Sequence, residues 1–188
     1  MLKVARLVQK KASSVVIGCH PKALSAFQCS RSIKLQASRN NSKTNISNML
    51  QKVDPLWVIK SKNTHNSFHF FSGFNSLPFV SQDSELSLLI FNKITDDEIE
   101  DLCWVYVANT LFQGVDKDIG YGSLYSALNQ FMPSKKMKVL FGKRKLSMEA
   151  LGKLTNLTRS AIRWQAEQSS KNAPDDKSIF SKIIGGVS

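Results

Sequence analysis

The stretch from Thr95 to Gly114, TDDEIEDLCWVYVANTLFQG, leaves the chain fewest choices of fold. Thr95 with Glu98 fits a capping box, in which each side chain satisfies a backbone donor at a helix start. Asp96, Asp97, Glu98, Glu100 and Asp101 crowd the first turns, where negative charge suits the helix dipole. Leu102 to Ala108 then offers no polar face for two turns, so the segment needs cover on most sides. Gly114 can end the helix. No apolar run reaches the roughly 18–20 residues of a membrane-spanning helix.

The elements around this helix read as strands first and helices later. Leu56–Ile59 and Ser67–Phe71 flank the turn-forming Ser61–Asn66, which predicts a hairpin with a longer loop. Leu86–Phe91 is a third strand or the lead-in to the central helix. Ser123 is a candidate cap for a helix over Leu124–Met132, and Gly120-Tyr121-Gly122 before it reads as a turn. Val139–Phe141 is a candidate short strand. Ser147 caps a further helical segment that runs to Gln168 as one helix or two. Asp175 or Asp176 can cap a last helix through Ile179–Ile184. The expected class is α+β, one small domain over 55–188 with a hairpin or short sheet followed by a helical half. A disordered basic leader, 1–39, and a polar linker, 40–54, precede it.

Charge decides which segments can meet an anionic partner. The formal net charge is +12, but it is unevenly placed. No acid occurs before Asp54, whereas ten of the 26 basic residues do, leaving 16 bases against 14 acids in the rest. The first residues, with Leu2, Ala5 and Leu7 among Lys3, Arg6, Lys10 and Lys11, predict a short amphipathic helix. Met1 to about Arg39 is basic, Ser-rich and acid-free, and resembles a mitochondrial presequence. The resemblance implies import into the mitochondrion, to the matrix or the inner-membrane surface. Cleavage would follow Ser32 or fall near Arg39; removal of residues 1–39 would leave a chain of net charge +4. The plain alternative is a basic arm on a nucleic acid or a membrane surface.

Little points to catalysis. His65 and His69 lack Cys or carboxylate partners at ligand spacing, and His20 would leave with the leader. Cys19, Cys29 and Cys103 show no paired spacing, and Cys103 reads as a buried, inert thiol. The acids at the central helix start are explained by the helix dipole. No phosphate loop, dinucleotide fingerprint, nucleophile elbow or zinc-protease signature occurs, so no enzyme activity, cofactor or metal is implied.

The informative cluster is Lys135, Lys136, Lys138, Lys143, Arg144 and Lys145, with no acid among them. On either side of a strand these bases would form a phosphate-binding footprint; otherwise they are an ordinary solvated surface. Beyond them, Leu151, Leu154, Leu157, Ala161 and Trp164 make an apolar stripe if 146–168 is one helix. The same segment resembles a helix-turn-helix. Ser147, Glu149, Ala150 and Leu151 match its first helix, Asn156 and Leu157 its turn, and Thr158–Ile162 the start of its second. It departs at Gly152, where Ala is usual. The resemblance implies that Arg159, Arg163 and Gln165 face a groove or phosphates. The expected function is non-catalytic: a mitochondrial matrix protein of gene expression, binding RNA or joining the mitochondrial ribosome. An assembly factor for a respiratory-chain or ATP synthase complex is the alternative, suggested by the aromatic Phe68–Phe79 and the apolar IFSKII at the C-terminal end.

Overall fold

Leu86, Leu88, Ile90 and Phe91 are all buried along one strand, which therefore needs a neighbour on each edge and cover on its faces. The computed structural model supplies both. It describes residues 3–33, 54–61, 64, 66–79, 84–118 and 120–171. Five strands form one mixed sheet in the order β1-β5-β3-β4-β2. They are β1 (Lys3–Lys11), β2 (Val16–Cys19), β3 (Leu56–Lys60), β4 (Ser67–Ser72) and β5 (Glu85–Lys93). The described α-helices are α1 (Leu24–Arg31), α2 (Asp96–Gly114), α3 (Gly120–Phe131), α4 (Ser134–Phe141), α5 (Met148–Thr155) and α6 (Arg159–Lys171). The class is α+β, and within this small domain the chain gathers into two compact units.

Of the described residues, the sheet unit takes in 3–24, 54–61, 64, 66–79 and 84–103. The expected hairpin is present: β3 and β4 pair antiparallel, with Ile59 opposite His69. The run at 86–91 is a strand, parallel to β3, with Leu56 opposite Leu88. Trp57, Phe71 and Phe91, from three neighbouring strands, pack ring to ring at 5.4 to 6.3 Å. Each such pair contributes about 0.5–1.5 kcal/mol beyond its buried area. Gly73 closes the turn after β4 at φ +72, where a Cβ would lie 2.1 Å from the Pro55 carbonyl oxygen.

The N-terminal segment departs from expectation. Lys3–Lys11 is a strand, not an amphipathic helix, and pairs antiparallel with β5 from Lys3–Lys93 to Lys11–Glu85. A lone helix of about ten residues is marginal in water, whereas the open edge of β5 offers a full ladder. Val16–Cys19 adds a parallel strand to the opposite edge beside β4. The expected leader thus contributes β1, β2 and α1. The polar linker, apart from Asp54, and the helix at 179–184 lie outside the described residues, as does His65.

Of the described residues, the helical unit takes in 25–33, 104–118 and 120–171. The boundary between the units falls within α2. Its capping box forms as expected: the Thr95 N–H donates to Glu98 Oε2 (2.9 Å) and the Glu98 N–H to Thr95 Oγ1 (3.3 Å). Cys103, Trp104 and Val107 are buried, but Val105 is 52% exposed, so the helix has an open face despite its apolar middle. Two expectations are corrected here. α3 starts at Gly120, taking in the expected turn, and Ser123 lies inside it with its hydroxyl on the Gly120 carbonyl (2.7 Å). Val139–Phe141 is the end of helix α4, not a strand. Lys-rich Ser134–Phe141 holds good helix formers, Met137 is its buried anchor, and Gly142 at φ 71 stops it. Among the described residues, no helix is long and apolar enough to cross a membrane.

Candidate nucleic-acid interface

Residues 147–168 form two helices joined by a tight turn. Ser147 Oγ accepts from the Ala150 N–H at 3.1 Å and starts α5. Asn156 ends it in the left-handed conformation, φ 57 and ψ 31, and the Leu157 N–H donates to the Gly152 carbonyl at 3.2 Å. Thr158 Oγ1 then accepts from the Ala161 N–H at 3.2 Å and opens α6. The departure at Gly152 has a steric cause. A Cβ there would lie 2.5 Å from the Leu157 carbonyl oxygen and 3.7 Å from Ile162 Cδ1. Glycine lets the turn fold back on α5 and lets the buried Ile162 of α6 approach it.

The turn resets the helical phase, and this corrects two residues. Trp164, expected in the apolar stripe, is 54% exposed; Gln165, expected to face outward, is 4% exposed. Gln165 is buried because it completes another helix. Its Oε1 accepts from the Tyr121 and Gly122 N–H groups at 3.0 and 3.2 Å, and its Nε2 donates to the Lys117 carbonyl at 2.8 Å. Three hydrogen bonds offset the burial of this amide and satisfy two orphan donors at the start of α3. Backbones meet at the same crossing. A Cβ on Gly122 would lie 2.1 Å from the Ala166 nitrogen.

With Ile162 and Gln165 inward, α6 turns Arg159, Ser160, Arg163, Trp164 and Glu167 to solvent, beside Thr158 at its cap. Arg163 Nε donates to Glu167 Oε1 at 3.0 Å, one turn along the helix. An exposed pair of this kind contributes about 0.3–0.5 kcal/mol, so a phosphate or base edge can displace it.

The other basic residues sit on two further elements of the same unit. Lys135 and Lys138 are exposed on α4 and Lys136 is half-buried there. Lys143, Arg144 and Lys145 are exposed in the turn between α4 and α5. That turn is pinned where it ends. Asn129 of α3 accepts from the Leu146 N–H at 3.1 Å and donates to the Leu146 carbonyl at 3.0 Å, and Leu146 is buried. The two basic groups therefore lie along a helix and in a fixed turn, not at the two ends of a strand. Thr158 and Ser160, read from the sequence only as the start of the second helix, and Trp164, read as part of an apolar stripe, also belong to the exposed α6 face.

The sheet unit holds one cluster of titratable groups. His20 is buried after β2; its Nδ1 accepts from the Lys22 N–H at 3.3 Å, and its Nε2 lies 3.9 Å from Asp96 Oδ1. Its ring meets that of His69 edge to face at 6.3 Å. Burial pushes the imidazole below its ordinary value, against the pull of Asp96; His69 and Lys22 push it the same way as burial. Burial also pushes the Cys19 thiol, and that of Cys29 in the helical unit, up to about 12. Cys103 is buried, as expected. Among the described residues, no group of three or more His, Cys, Asp or Glu could hold a metal ion.

No family model matches the chain. No curated protein matches it significantly. Among solved structures it is similar to the C-terminally truncated chromosome-partitioning protein ParB from Caulobacter crescentus. In the complex of that protein with the centromeric parS site, identity is 10% and the TM-score 0.34, over 89% of this chain and 73% of that one. In its complex with CTP-gamma-S, identity is 11% and the TM-score 0.33, over 97% and 86%. Superposition this loose carries no argument about the ligand of this chain.

Proposed function

We propose that the helical unit is a helix-turn-helix module that binds duplex DNA, with the outer face of α6 entering the major groove. The observation that carries this reading is the geometry over 147–167. A capped first helix, a three-residue turn and a capped second helix leave two arginines, two hydroxyls and an indole outward on the second helix. The major groove of B-form DNA, about 12 Å wide, admits a helix, whereas the deep, narrow groove of A-form RNA does not. The face therefore suits DNA better than duplex RNA. Lys135, Lys136, Lys138, Lys143, Arg144 and Lys145 supply phosphate contacts, which give affinity and register, not sequence.

For its address we propose the mitochondrial matrix, on the strength of the acid-free N-terminal segment, with that segment retained on the working chain. Cleavage near Arg39 would take β1 and β2 from a five-stranded sheet. The role there is gene expression, without catalysis.

Fluorescence anisotropy of the full chain tests the reading, with labelled duplex DNA, duplex RNA and single-stranded RNA at low and physiological salt. DNA should bind best, with affinity falling steeply as salt rises. Alanine at Lys143, Arg144 and Lys145 should flatten the salt slope by about 0.9 for each phosphate no longer neutralised. Preference for either RNA would overturn the DNA reading in favour of an RNA or ribosomal partner. Indifference to all three would favour the assembly-factor role.

A further inference from the structure

Trp164 is the one large apolar side chain on the outward face of α6. Its exposure is not needed for packing, because Ile162 and Gln165 provide the inward contacts of that helix. It follows Arg163 directly and lies one turn beyond Ser160. Charge around it suits DNA: Arg159 and Arg163 precede it, and the only acid on that face, Glu167, is paired with Arg163. A major groove offers an indole one apolar feature, the 5-methyl group of thymine. Guanine and cytosine edges present only donors and acceptors there, which suit the neighbouring arginines and hydroxyls.

We infer that Trp164 is a specificity-determining residue that reads a thymine methyl in the major groove, so that the chain selects DNA sites with a thymine at a fixed position. The inference rests on the proposed DNA reading and names the base that its α6 face recognises. Arg159 and Arg163 are suited to guanine O6 and N7, and Trp164 to the adjacent thymine. The site therefore has a G-and-T character on the strands facing α6.

The test begins with selection of bound duplexes from a random DNA pool by the full chain. Thymines in the selected site are then replaced singly by uracil, which removes only the methyl group and leaves the protein untouched. One replacement should weaken wild-type binding roughly five- to tenfold, the lower end of what a single base-pair change costs. Trp164→Ala should lose a similar factor on the thymine duplex and nothing further on the uracil duplex, since both changes remove the same interaction. Far-ultraviolet circular dichroism of the variant checks that an exposed substitution leaves the fold intact. Selection of a site whose binding is indifferent to every uracil replacement would overturn the inference and leave the DNA reading standing. Failure to enrich any duplex would overturn both. Unchanged DNA binding by Trp164→Ala, with an altered mass in solution, would overturn it too and assign the indole to a protein contact instead.

Discussion

A buried side chain in each unit holds the start of a helical segment, His20 at the single 3-10 turn Pro21–Ala23 and Gln165 at α3, and the two differ in a way that matters. In the sheet unit His20 accepts from the Lys22 N–H at 3.3 Å. In the helical unit Gln165 accepts from Tyr121 and Gly122 and donates to Lys117. Both supply partners to backbone donors that have none in the helix itself. The imidazole carries a titratable site, which burial holds below its ordinary value, and the amide carries none. The sheet unit therefore carries a pH-sensitive cap, while the unit that presents the proposed DNA-binding face is held by a cap indifferent to pH.

The largest expected effect is at the crossing of α3 and α6. Gly122→Leu drives a side chain into the Ala166 and Gln165 backbone and should cost about 3 kcal/mol or more, as strong overpacking does. Urea unfolding should show it, with DNA binding falling in parallel. A neutral result would mean that the crossing is looser than described. Next comes Gln165→Leu, which leaves two amide hydrogens of α3 and the Lys117 carbonyl without this partner. A loss of about 1–3 kcal/mol is expected, the cost of a buried group left unsatisfied. That loss should be the same at pH 7.5 and pH 5.5, which separates this cap from the imidazole one.

His20 should behave in the opposite manner. Its folded value lies below the ordinary 6.5, so as pH falls past that value the unfolded chain takes up the proton first. Stability is full above about 6.5 and declines as pH falls toward the lower folded value. His20→Asn keeps an acceptor for Lys22 without the titration, so its urea midpoint should lose most of this acid sensitivity. Persistence of the wild-type slope would contradict the assignment of the acid sensitivity to His20. Asp96→Asn should steepen the wild-type decline, because it removes the charge that pulls the imidazole back up. The smallest effect is expected from Ser147→Ala. It removes the α5 cap and should cost about 1 kcal/mol in thermal unfolding, with the α6 face intact.

These two caps also mark how far the sequence could be read. The hairpin, the strand at 86–91 and the capping box at Thr95 were legible because each follows from neighbours in sequence. The α+β class followed from their order. β1 was not legible: its apolar and basic residues fit a short helix locally, and only the open edge of β5 makes it a strand. α4 was misread because Val139, Leu140 and Phe141 in a row look like a strand, whereas a single buried Met137 anchors them as helix. On α6 the inward face was hidden by Gln165, a polar residue at a core position. Its partner is the start of α3, some 44 residues away, which no local pattern reveals. Without that partner Trp164 looked like core and Gln165 like surface. The two arginines are exposed, and they face outward whether the segment is one helix or two.

Two acid-poor surfaces compete as the DNA contact: edge strand β1, with Arg6, Lys10 and Lys11, and the α6 face with its neighbouring turn. Backbone amide chemical shifts of the isotope-labelled full chain, recorded while short duplex DNA is titrated in, separate them directly. A helix-turn-helix contact requires the largest shifts at Thr158 to Trp164, with a second group at Lys143 to Lys145 and little change along Lys3 to Lys11. Shifts concentrated on β1, or none on α6, would contradict it.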